Sequence, residues 1–391
     1  MKKILVVSEV FWPENFLIND LVIQLKNKGF KVDILTQHPS YPYGKVYDNY
    51  DNCDFYCEEW NGSTIYRFKV IEGYKDSTIK KLLNYFYFVY KGRKIARSIT
   101  EKYDVVFVSQ TGPLSVALPG IAYAKRNKSK LYLWVLDIWP DAVYAYGFKK
   151  SKLLDSLLGK FIRYVYAKSD KIFISSKKFA DSISPYTNKK AFYMPNWLVK
   201  SEDSPSSIKL DTSKFNFTFT GNVSLYQNLD NVIKGFHLAK LDNCILNFVG
   251  DGSWLDNLKK LVEENDIKNV VFHGRHPASE MHDVLTQSNT LILPLIPDEG
   301  IQKTEPLKLQ SYLRSGKPIL GVIGGSGKEI IEENQLGLCA DPENIEDIAK
   351  KFKEVILFSQ NNAQNVAESS ENLINTRFNC DIILDDFIKI L

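Results

Sequence analysis

The sequence predicts an α/β protein built from two doubly wound parallel-sheet units. Its 391 residues are 44% apolar and 25% charged, an ordinary globular composition, and a chain of this length suggests two domains. In both halves, short apolar runs alternate with amphipathic stretches, as in successive βα units. Residues 201–207 are polar and aperiodic, so we interpret them as a linker. The predicted domains are therefore residues 1–200 and 208–377.

The individual elements follow from the same alternation. In the first half, strands are predicted at residues 4–10, 32–36, 105–109, 131–136 and 171–175, and helices at 15–28, 79–100 and 112–126. In the second half, strands are predicted at residues 215–220, 244–249, 270–273, 290–293 and 318–322, and helices at 229–239, 254–264, 279–287 and 306–314. Open α/β sheets of this kind bind ligands at the carboxyl ends of their strands.

Charge is distributed unevenly along the chain. Residues 1–200 contain 32 Lys and Arg against 18 Asp and Glu, a charge of +14, whereas the whole protein carries only +4. Such a basic half is typical of proteins that meet nucleic acid or the anionic inner leaflet of a membrane. No nucleic-acid recognition motif accompanies it, so we expect no nucleic-acid partner. A solvated basic face is the alternative interpretation.

Several classes of site lack a sequence signal. The five cysteines are scattered, and Cys53 and Cys57 have no second ligand pair, so we expect no metal and a reducing, cytoplasmic environment. No Gly-x-Gly-x-x-Gly follows the first predicted strand, which disfavours NAD or FAD. No serine lies in a Gly-x-Ser-x-Gly motif, which disfavours a hydrolase. The longest apolar runs are well short of the about 20 residues that span a bilayer.

Glycine-containing turns close the strands predicted in the second half. Gly221 and Asn222 end the first strand, Gly250 and Gly252 flank an acid after the second, and Arg275 follows the third. Glycine lets backbone N–H groups approach a phosphate closely, and a guanidinium suits a phosphate or a nucleobase edge. Each turn alone is more often structural than functional. Their order and spacing together favour a functional role.

A later polar loop enters a helix through Pro306, a residue suited to the first turn. Lys308 would lie in that turn. Helix N–H groups, the helix dipole and an ammonium group together favour an anion there.

These motifs, taken together, resemble one family. Four segments of the second half resemble the C-terminal half of glycosyltransferase family 4: residues 220–222, 248–252, 272–275 and 308–318. Three segments of the first half resemble the family branch that assembles bacterial capsule, O-antigen and colanic-acid-type polysaccharides, including N-acetyl-fucosamine transferases: residues 11–14, 39–47 and 137–141. The likeness spans nearly the whole chain.

The resemblance implies the GT-B fold, in which two Rossmann-like domains face a central cleft. It assigns acceptor binding to residues 1–200 and nucleotide-sugar binding to residues 208–377, with a helix at about 378–391 crossing back onto the first domain. It also implies retention of anomeric configuration without a metal or other cofactor. The expected reaction moves a sugar, such as N-acetyl-fucosamine, from a UDP-sugar to a polyprenyl-diphosphate-linked oligosaccharide in capsule or O-antigen synthesis.

The resemblance further implies roles for single residues. Gly221 and Asn222 match the turn on the phosphate side, Gly250 and Gly252 match the loop beside the nucleotide, and Arg275 follows a base-contacting His-Gly pair.

Three residues are predicted to be catalytic. Lys308 would supply a cation near the diphosphate. Asp137 matches the acidic residue that faces the donor sugar, and Glu14 lies in the loop after the first strand.

The chain departs from the family at one motif. Many members carry Glu-x7-Glu before the late helix, where this sequence has Lys303 and Ser311. Ser311 or Gln310 is able to hydrogen-bond a donor ribose instead. Glu305 or Glu299 would replace the first carboxylate without keeping the spacing.

Two other functions are alternatives to a transferase. One is a GT-B epimerase acting on UDP-sugars, and the other is a non-catalytic partner that binds nucleotide sugars.

Residues 79–94 combine an aromatic centre with flanking cations, and Lys149, Lys150 and Lys152 add to the basic half. We therefore expect peripheral docking on the anionic inner face of the cell membrane. A buried core helix is the alternative for residues 79–94.

Overall fold

The computed structural model describes residues 1–75, 77–145, 149–199 and 202–391. These residues form two compact units, Met1–Pro195 with Ile383–Leu391 and Asn196–Ile382. Residues 200 and 201, the end of the predicted first domain and the start of the predicted linker, lie outside the described residues. The rest of that linker packs on the second unit, where Ser204 Oγ donates to Ser279 Oγ at 2.9 Å and Ser206 N donates to Asp283 at 2.8 Å.

The first unit contains one sheet of eight strands among its described residues. The strands are β1 (Lys3–Ser8), β2 (Lys31–Gln37), β3 (Tyr56–Trp60), β4 (Ser63–Phe68), β5 (Val105–Gln110), β6 (Lys130–Val135), β7 (Lys171–Ile174) and β8 (Ala191–Tyr193). Their order is β3-β4-β2-β1-β5-β6-β7-β8, and every neighbouring pair is parallel except the antiparallel β3–β4 hairpin. The buried strands β1, β5 and β6 therefore end side by side at one edge.

Helices connect these strands. They are α1 (Leu17–Asn27), α2 (Thr78–Ser98), α3 (Ala117–Asn127), α4 (Asp141–Ala145), α5 (Lys152–Lys168) and α6 (Phe179–Ile183). The sequence predicted one helix over residues 112–126, but α3 begins only at Ala117, after a short 3₁₀ turn at Leu114–Val116. Gly112 has a positive φ of 85° and lies in a loop, which delays the start of the helix.

The C-terminal residues complete the core of the first unit. The Phe387 ring packs edge-on against Phe107 and Phe173, with centroids 5.2 and 5.1 Å apart. Asp385 forms an ion pair with Lys28 at 2.8 Å. All three phenylalanines are buried, so this segment covers apolar surface that the sheet would otherwise expose.

The second unit contains a wholly parallel sheet of six strands among its described residues. The strands are β9 (Phe215–Thr220), β10 (Cys244–Val249), β11 (Val270–Gly274), β12 (Thr290–Pro294), β13 (Ile319–Val322) and β14 (Gly337–Ala340), in the order β11-β10-β9-β12-β13-β14. The helices are α7 (Leu229–Ala239), α8 (Leu255–Glu264), α9 (Met281–Gln287), α10 (Glu299–Gln302), α11 (Lys308–Ser315), α12 (Gly325–Glu333) and α13 (Ile345–Asn375). Helix α14 (Cys380–Ile390) lies mostly in the segment Ile383–Leu391 of the first unit.

The predicted fold class, two doubly wound parallel-sheet units, is confirmed by these topologies. The β3–β4 hairpin was missed. Its two turn residues, Asn61 and Gly62, both have positive φ, and an Asn-Gly pair is the strongest short-range hairpin signal. None of the described helices combines the length and hydropathy needed to cross a bilayer.

Candidate active site

Three strand-end loops of the first unit converge around two carboxylates. Glu9 follows β1, Gly112 follows β5 and Asp137 follows β6. The Gly112 N–H donates to Asp137 Oδ2, and a Cβ placed on Gly112 would lie 3.6 Å from Glu9 Oε2. Trp139 Nε1 donates to the Gly112 carbonyl at 3.2 Å. The loop after β5 is thus held against the loop after β6, with Glu9 beside them.

The pKa values of both carboxyl groups are shifted upward. Burial raises the pKa of Asp137, and the Gly112 N–H partly opposes that shift. Burial, reinforced by the nearby charges of Glu14 and Asp137, raises the pKa of Glu9 to about 8, although Lys81 acts in the opposite direction. At neutral pH Glu9 therefore holds a proton and is able to donate a hydrogen bond. Glu9 is not among the residues predicted from the sequence; its signal is a charge directly after a buried strand.

Glu14 connects two loops of the first unit. Its buried carboxylate accepts N–H groups from Phe11 at 3.1 Å, Ser40 at 2.7 Å and Tyr41 at 2.6 Å. These bonds fasten the loop after β1 to the loop after β2. The contacts favour a structural function, and the catalytic role of Glu14 stays a prediction.

The predicted glycines of the second unit lie where the backbones of neighbouring strand-end loops contact each other. Gly221 N donates to the Val249 carbonyl at 2.9 Å, and Gly250 N donates to the Gly274 carbonyl at 2.8 Å. Gly250 has a φ of 149°, and a Cβ there would collide with the Gly221 carbonyl oxygen. A side chain at Gly250 would therefore separate the loops that follow β9 and β10.

The same two loops hold Asn222 and Gly252 together. A Cβ on Gly252 would collide with the Val223 carbonyl and would lie 2.7 Å from Asn222 Oδ1. The structure thus brings together Gly221, Asn222, Gly250 and Gly252. Arg275 is exposed and follows Gly274 directly, so it begins at the same edge of the sheet.

Lys308 extends from the start of α11 to this edge. Its ammonium donates to Gln227 Oε1 and lies over the Phe219 ring, and its Cε would be 2.5 Å from a Cβ on Gly221. Burial lowers the pKa of Lys308 to about 7. Within the described residues, no carboxylate forms an ion pair with it. A partly buried cation without an anionic partner costs free energy unless a ligand supplies the anion.

The remaining donor-site candidates divide into two groups. Glu305 is buried and forms an ion pair with Arg377 at 2.8 Å, so its carboxylate is used inside the unit. Gln310 is also buried, and its Nε2 donates to the Asn196 carbonyl at 3.3 Å. Neither contact brings the side chain to Lys308.

Ser311 and Glu299 have more exposed positions. Ser311 is exposed on α11, one residue after Gln310. Glu299 forms an ion pair with Lys303 at 3.1 Å, so the position of the first missing carboxylate holds a cation paired with a neighbouring acid. Within the part of the chain that the structure describes, no three His, Cys, Asp or Glu side chains group as metal ligands.

Known proteins show similarity to both parts of the chain. Residues 200–373 match the family described as "Glycosyl transferases group 1". WbjE of Pseudomonas aeruginosa, named as a glycosyltransferase, is 27% identical over 271 residues, which cover 64% of this chain and 66% of WbjE, just under two thirds of its length. WcaI of Escherichia coli, named as a colanic acid biosynthesis glycosyl transferase, is 22% identical over 388 residues, which cover 92% of this chain and 93% of WcaI.

Solved structures agree with the fold. Sucrose-phosphate synthase from Thermosynechococcus elongatus superposes with a TM-score of 0.73 at 13% identity, covering 100% of this chain and 98% of that one. HepE from Anabaena, solved in complex with UDP, superposes with a TM-score of 0.66 at 11% identity and covers 100% and 99%. Identities this low show the fold alone, and the expected GT-B fold is confirmed.

Proposed function

We propose that this chain is a glycosyltransferase of the group 1 family and that it transfers a sugar from a UDP-sugar to a lipid-linked saccharide. The product would be a bacterial surface polysaccharide of the capsule or O-antigen kind, and N-acetyl-fucosamine is the donor sugar we favour. The names of WbjE and WcaI support a role in bacterial glycosyl transfer, and the UDP bound to HepE supports a uridine nucleotide.

The observation that carries the proposal is the setting of Lys308. A partly buried ammonium faces the turn at Gly221, where the loops after β9 and β10 meet backbone to backbone. It contacts an aromatic face and an amide oxygen, and neither neutralises its charge. A diphosphate would supply that charge, and the strand-end N–H groups would add hydrogen bonds.

The proposed chemistry is charge stabilisation of a leaving group. The bond between the anomeric carbon and the diphosphate oxygen breaks as the acceptor oxygen bonds to that carbon from the same face. The acceptor proton passes to the departing phosphate, so configuration is retained. Lys308 stabilises the developing negative charge in place of a metal ion. Asp137 orients sugar hydroxyls, and Glu9, protonated at neutral pH, donates to an oxygen beside it.

We place the enzyme peripherally on the cytoplasmic face of the membrane, because α2 presents two different faces. Phe88, Ile95 and Ala96 are buried in the core, whereas Ile79 and Phe86 are more than 70% exposed. Leu83 and Tyr90 continue the exposed stripe, and Lys80, Arg93 and Lys94 flank it. Exposed aromatic and aliphatic residues with adjacent cations suit an anionic headgroup layer. The core-helix interpretation thus describes only one face of α2.

A binding screen tests the donor. The full chain is heated with UDP-, GDP-, dTDP- and ADP-sugars, and a bound ligand raises the unfolding temperature in proportion to RT ln(1 + [L]/Kd). We expect UDP-sugars alone to stabilise the protein, and Lys308→Ala to reduce that stabilisation. Transfer to a polyprenyl-diphosphate saccharide is then measured with EDTA present, where we expect activity to persist. Stabilisation by one of the other nucleotide sugars, without stabilisation by the UDP-sugars, would refute the donor assignment.

The replaced Glu-x7-Glu motif favours one alternative, a partner that binds nucleotide sugars without turning them over. UDP-sugar binding without transfer across a panel of lipid acceptors would identify that function. Interconversion of UDP-sugars without any lipid would identify an epimerase.

A further inference from the structure

A cavity lies in the first unit, towards the β3 edge of the sheet. Its volume is about 570 Å³. It is bounded by the loop after β1, the end of β2, the following segment and the edge strand β3. Asp137 follows β6, which lies three positions from β2 in the sheet order, with β1 and β5 between them. The lining residues are Trp12, Pro13, His38, Tyr47, Asn49, Tyr50, Asp51, Cys53, Tyr56 and Glu58. Its size lies in the range of small-molecule sites.

Aromatic rings form much of the cavity wall. Trp12 packs against Trp60 with centroids 5.9 Å apart, and Tyr56 stacks on His38 at 6.4 Å. Trp12 and Tyr56 still expose 36% and 47% of their surfaces, so their rings remain available to a ligand. The face of an aromatic ring is electron-rich and attracts the C–H groups on one side of a saturated ring. Two half-exposed rings beside one cavity therefore favour a ring-shaped ligand.

The charges around the cavity favour a neutral ligand. The lining contains no Lys or Arg among the described residues, which disfavours a phosphate. Arg67 is fully buried beneath it, forms an ion pair with Glu58 and lies 5.2 Å from the centre of the Tyr50 ring. The site thus already contains its cation, and Glu58 is neutralised. Asp51 and Asn49 remain as polar lining groups suited to hydroxyls.

His38 adds a hydrogen-bonding group without a partner. Its Nε2 lies 3.2 Å from the Cys53 carbonyl, an arrangement in which Nε2 donates and Nδ1 is an acceptor. Nδ1 is buried and has no hydrogen-bond partner among the residues that the structure describes. Burial also lowers the pKa of His38, so the ring is neutral at physiological pH. Buried polar atoms rarely lack partners, and a ligand hydroxyl would supply one.

We propose that this cavity binds one neutral sugar ring of the saccharide acceptor, at a distance from the hydroxyl that reacts. Ring stacking on Trp12 and Tyr56 would hold the ring, and Asp51, Asn49 and His38 would accept its hydroxyl hydrogens. Only the identification of the ring with part of the acceptor rests on the proposed function. The cavity would then select acceptors by a sugar that the reaction does not alter.

Saccharide binding to the full chain, without any nucleotide, tests the proposal. Saturation-transfer NMR and tryptophan fluorescence are recorded with N-acetylglucosamine, galactose, fucose and their disaccharides. We expect at least one of these to bind, and Tyr56→Ala to weaken it about tenfold or more. Tyr56→Phe keeps the ring and should retain binding. Tyr164→Ala is the matched control, since Tyr164 is 46% exposed on α5, does not line the cavity and should leave binding unchanged.

The outcomes separate this proposal from the proposed function. Absence of binding by every saccharide, equal loss in Tyr56→Ala and Tyr164→Ala, or competition by UDP would overturn the cavity assignment. Binding of choline in place of the sugars would overturn it as well, since that result indicates a cation site. Stabilisation by UDP-sugars that persists in Tyr56→Ala keeps the donor assignment intact, whatever the saccharide result. Saccharide binding without any response to UDP-sugars supports the cavity and counts against the proposed donor.

Discussion

Lys308 Nζ lies 4.5 Å from the centre of the Phe219 ring. Such a contact stabilises an ammonium by about 0.5–2 kcal/mol, less than burial of the charge costs. A bound anion would therefore stabilise the charged form of Lys308 in this position. The cost of burial explains why its pKa falls to about 7, and it makes ligand binding dependent on pH.

UDP affinity should fall as the pH rises above 7. The ligand-free protein loses the Lys308 proton near pH 7, whereas a bound diphosphate favours the charged form and raises the pKa, so binding takes up a proton. Affinity should then weaken by up to about tenfold per pH unit until the pKa of the complex is reached. Calorimetry between pH 6.5 and 9, in buffers of different ionisation enthalpy, measures both effects. Lys308→Arg stays charged and should remove the dependence; a slope unchanged in Lys308→Arg would exclude this lysine as its source.

Asp137→Asn should impair transfer while sparing nucleotide binding. The amide oxygen still accepts the Gly112 N–H, so the loop after β5 keeps its position. Loss of the negative charge should lower kcat about 100-fold. UDP affinity, measured by calorimetry, should stay within twofold because Asp137 lies in the first unit. A parallel decline of kcat and UDP affinity would count against its assigned role.

Glu14→Ala should reduce stability more than it reduces chemistry. Removing the carboxylate leaves the N–H groups of Phe11, Ser40 and Tyr41 without their acceptor. The expected loss is about 3 kcal/mol in the free energy of unfolding, measured in urea. Glu59→Ala removes an exposed carboxylate from β3 and should change stability little. Comparable stability in both variants, with kcat abolished only in Glu14→Ala, would show that Glu14 is catalytic after all.

Binding to anionic vesicles should depend on the cations of α2. Replacing Lys80, Arg93 and Lys94 by Gln should weaken binding to phosphatidylglycerol vesicles about 100-fold, at about 1 kcal/mol per cation. The effect should shrink as salt is added, because the charges are exposed. Sedimentation with vesicles measures it.

Two further variants identify the contact surface on the vesicle. Phe86→Ser should weaken vesicle binding even in high salt, since it removes exposed apolar area rather than charge. Replacing the exposed Lys259, Lys260 and Lys268 of the second unit by Gln removes the same charge elsewhere and should leave binding unchanged. Equal losses in the two triple variants would indicate non-specific attraction instead of docking through α2.

The elements of the second unit follow closely from its sequence. The predicted strands at 215–220 and 244–249 and the helix at 229–239 have the bounds of β9, β10 and α7. Parallel strands buried on both faces form continuous apolar runs, which glycine turns delimit sharply. The proximity of Lys308 and Gly221 could therefore be predicted from the sequence, since both lie at the same edge of a parallel sheet.

Other contacts could not be read from local pattern. Glu305 pairs with Arg377, 72 residues further along the chain, and no periodicity in the sequence connects the two. Glu14 was selected because it lies in a motif. The pKa of Glu9, in contrast, is raised by burial and by the neighbouring carboxylates that the fold brings to it. The aromatic cavity was missed with the hairpin, since β3 forms one of its walls.

Because Phe387 packs on the sheet of the first unit, a ribosome must synthesise all of the second unit, residues 196–382, before the first unit is complete. Residues 1–195 leave the ribosome early but keep an apolar surface uncovered until residues 383–391 emerge. During that interval the nascent chain is open to chaperones, and a recombinant fragment that stops at residue 195 would retain the same exposed surface permanently.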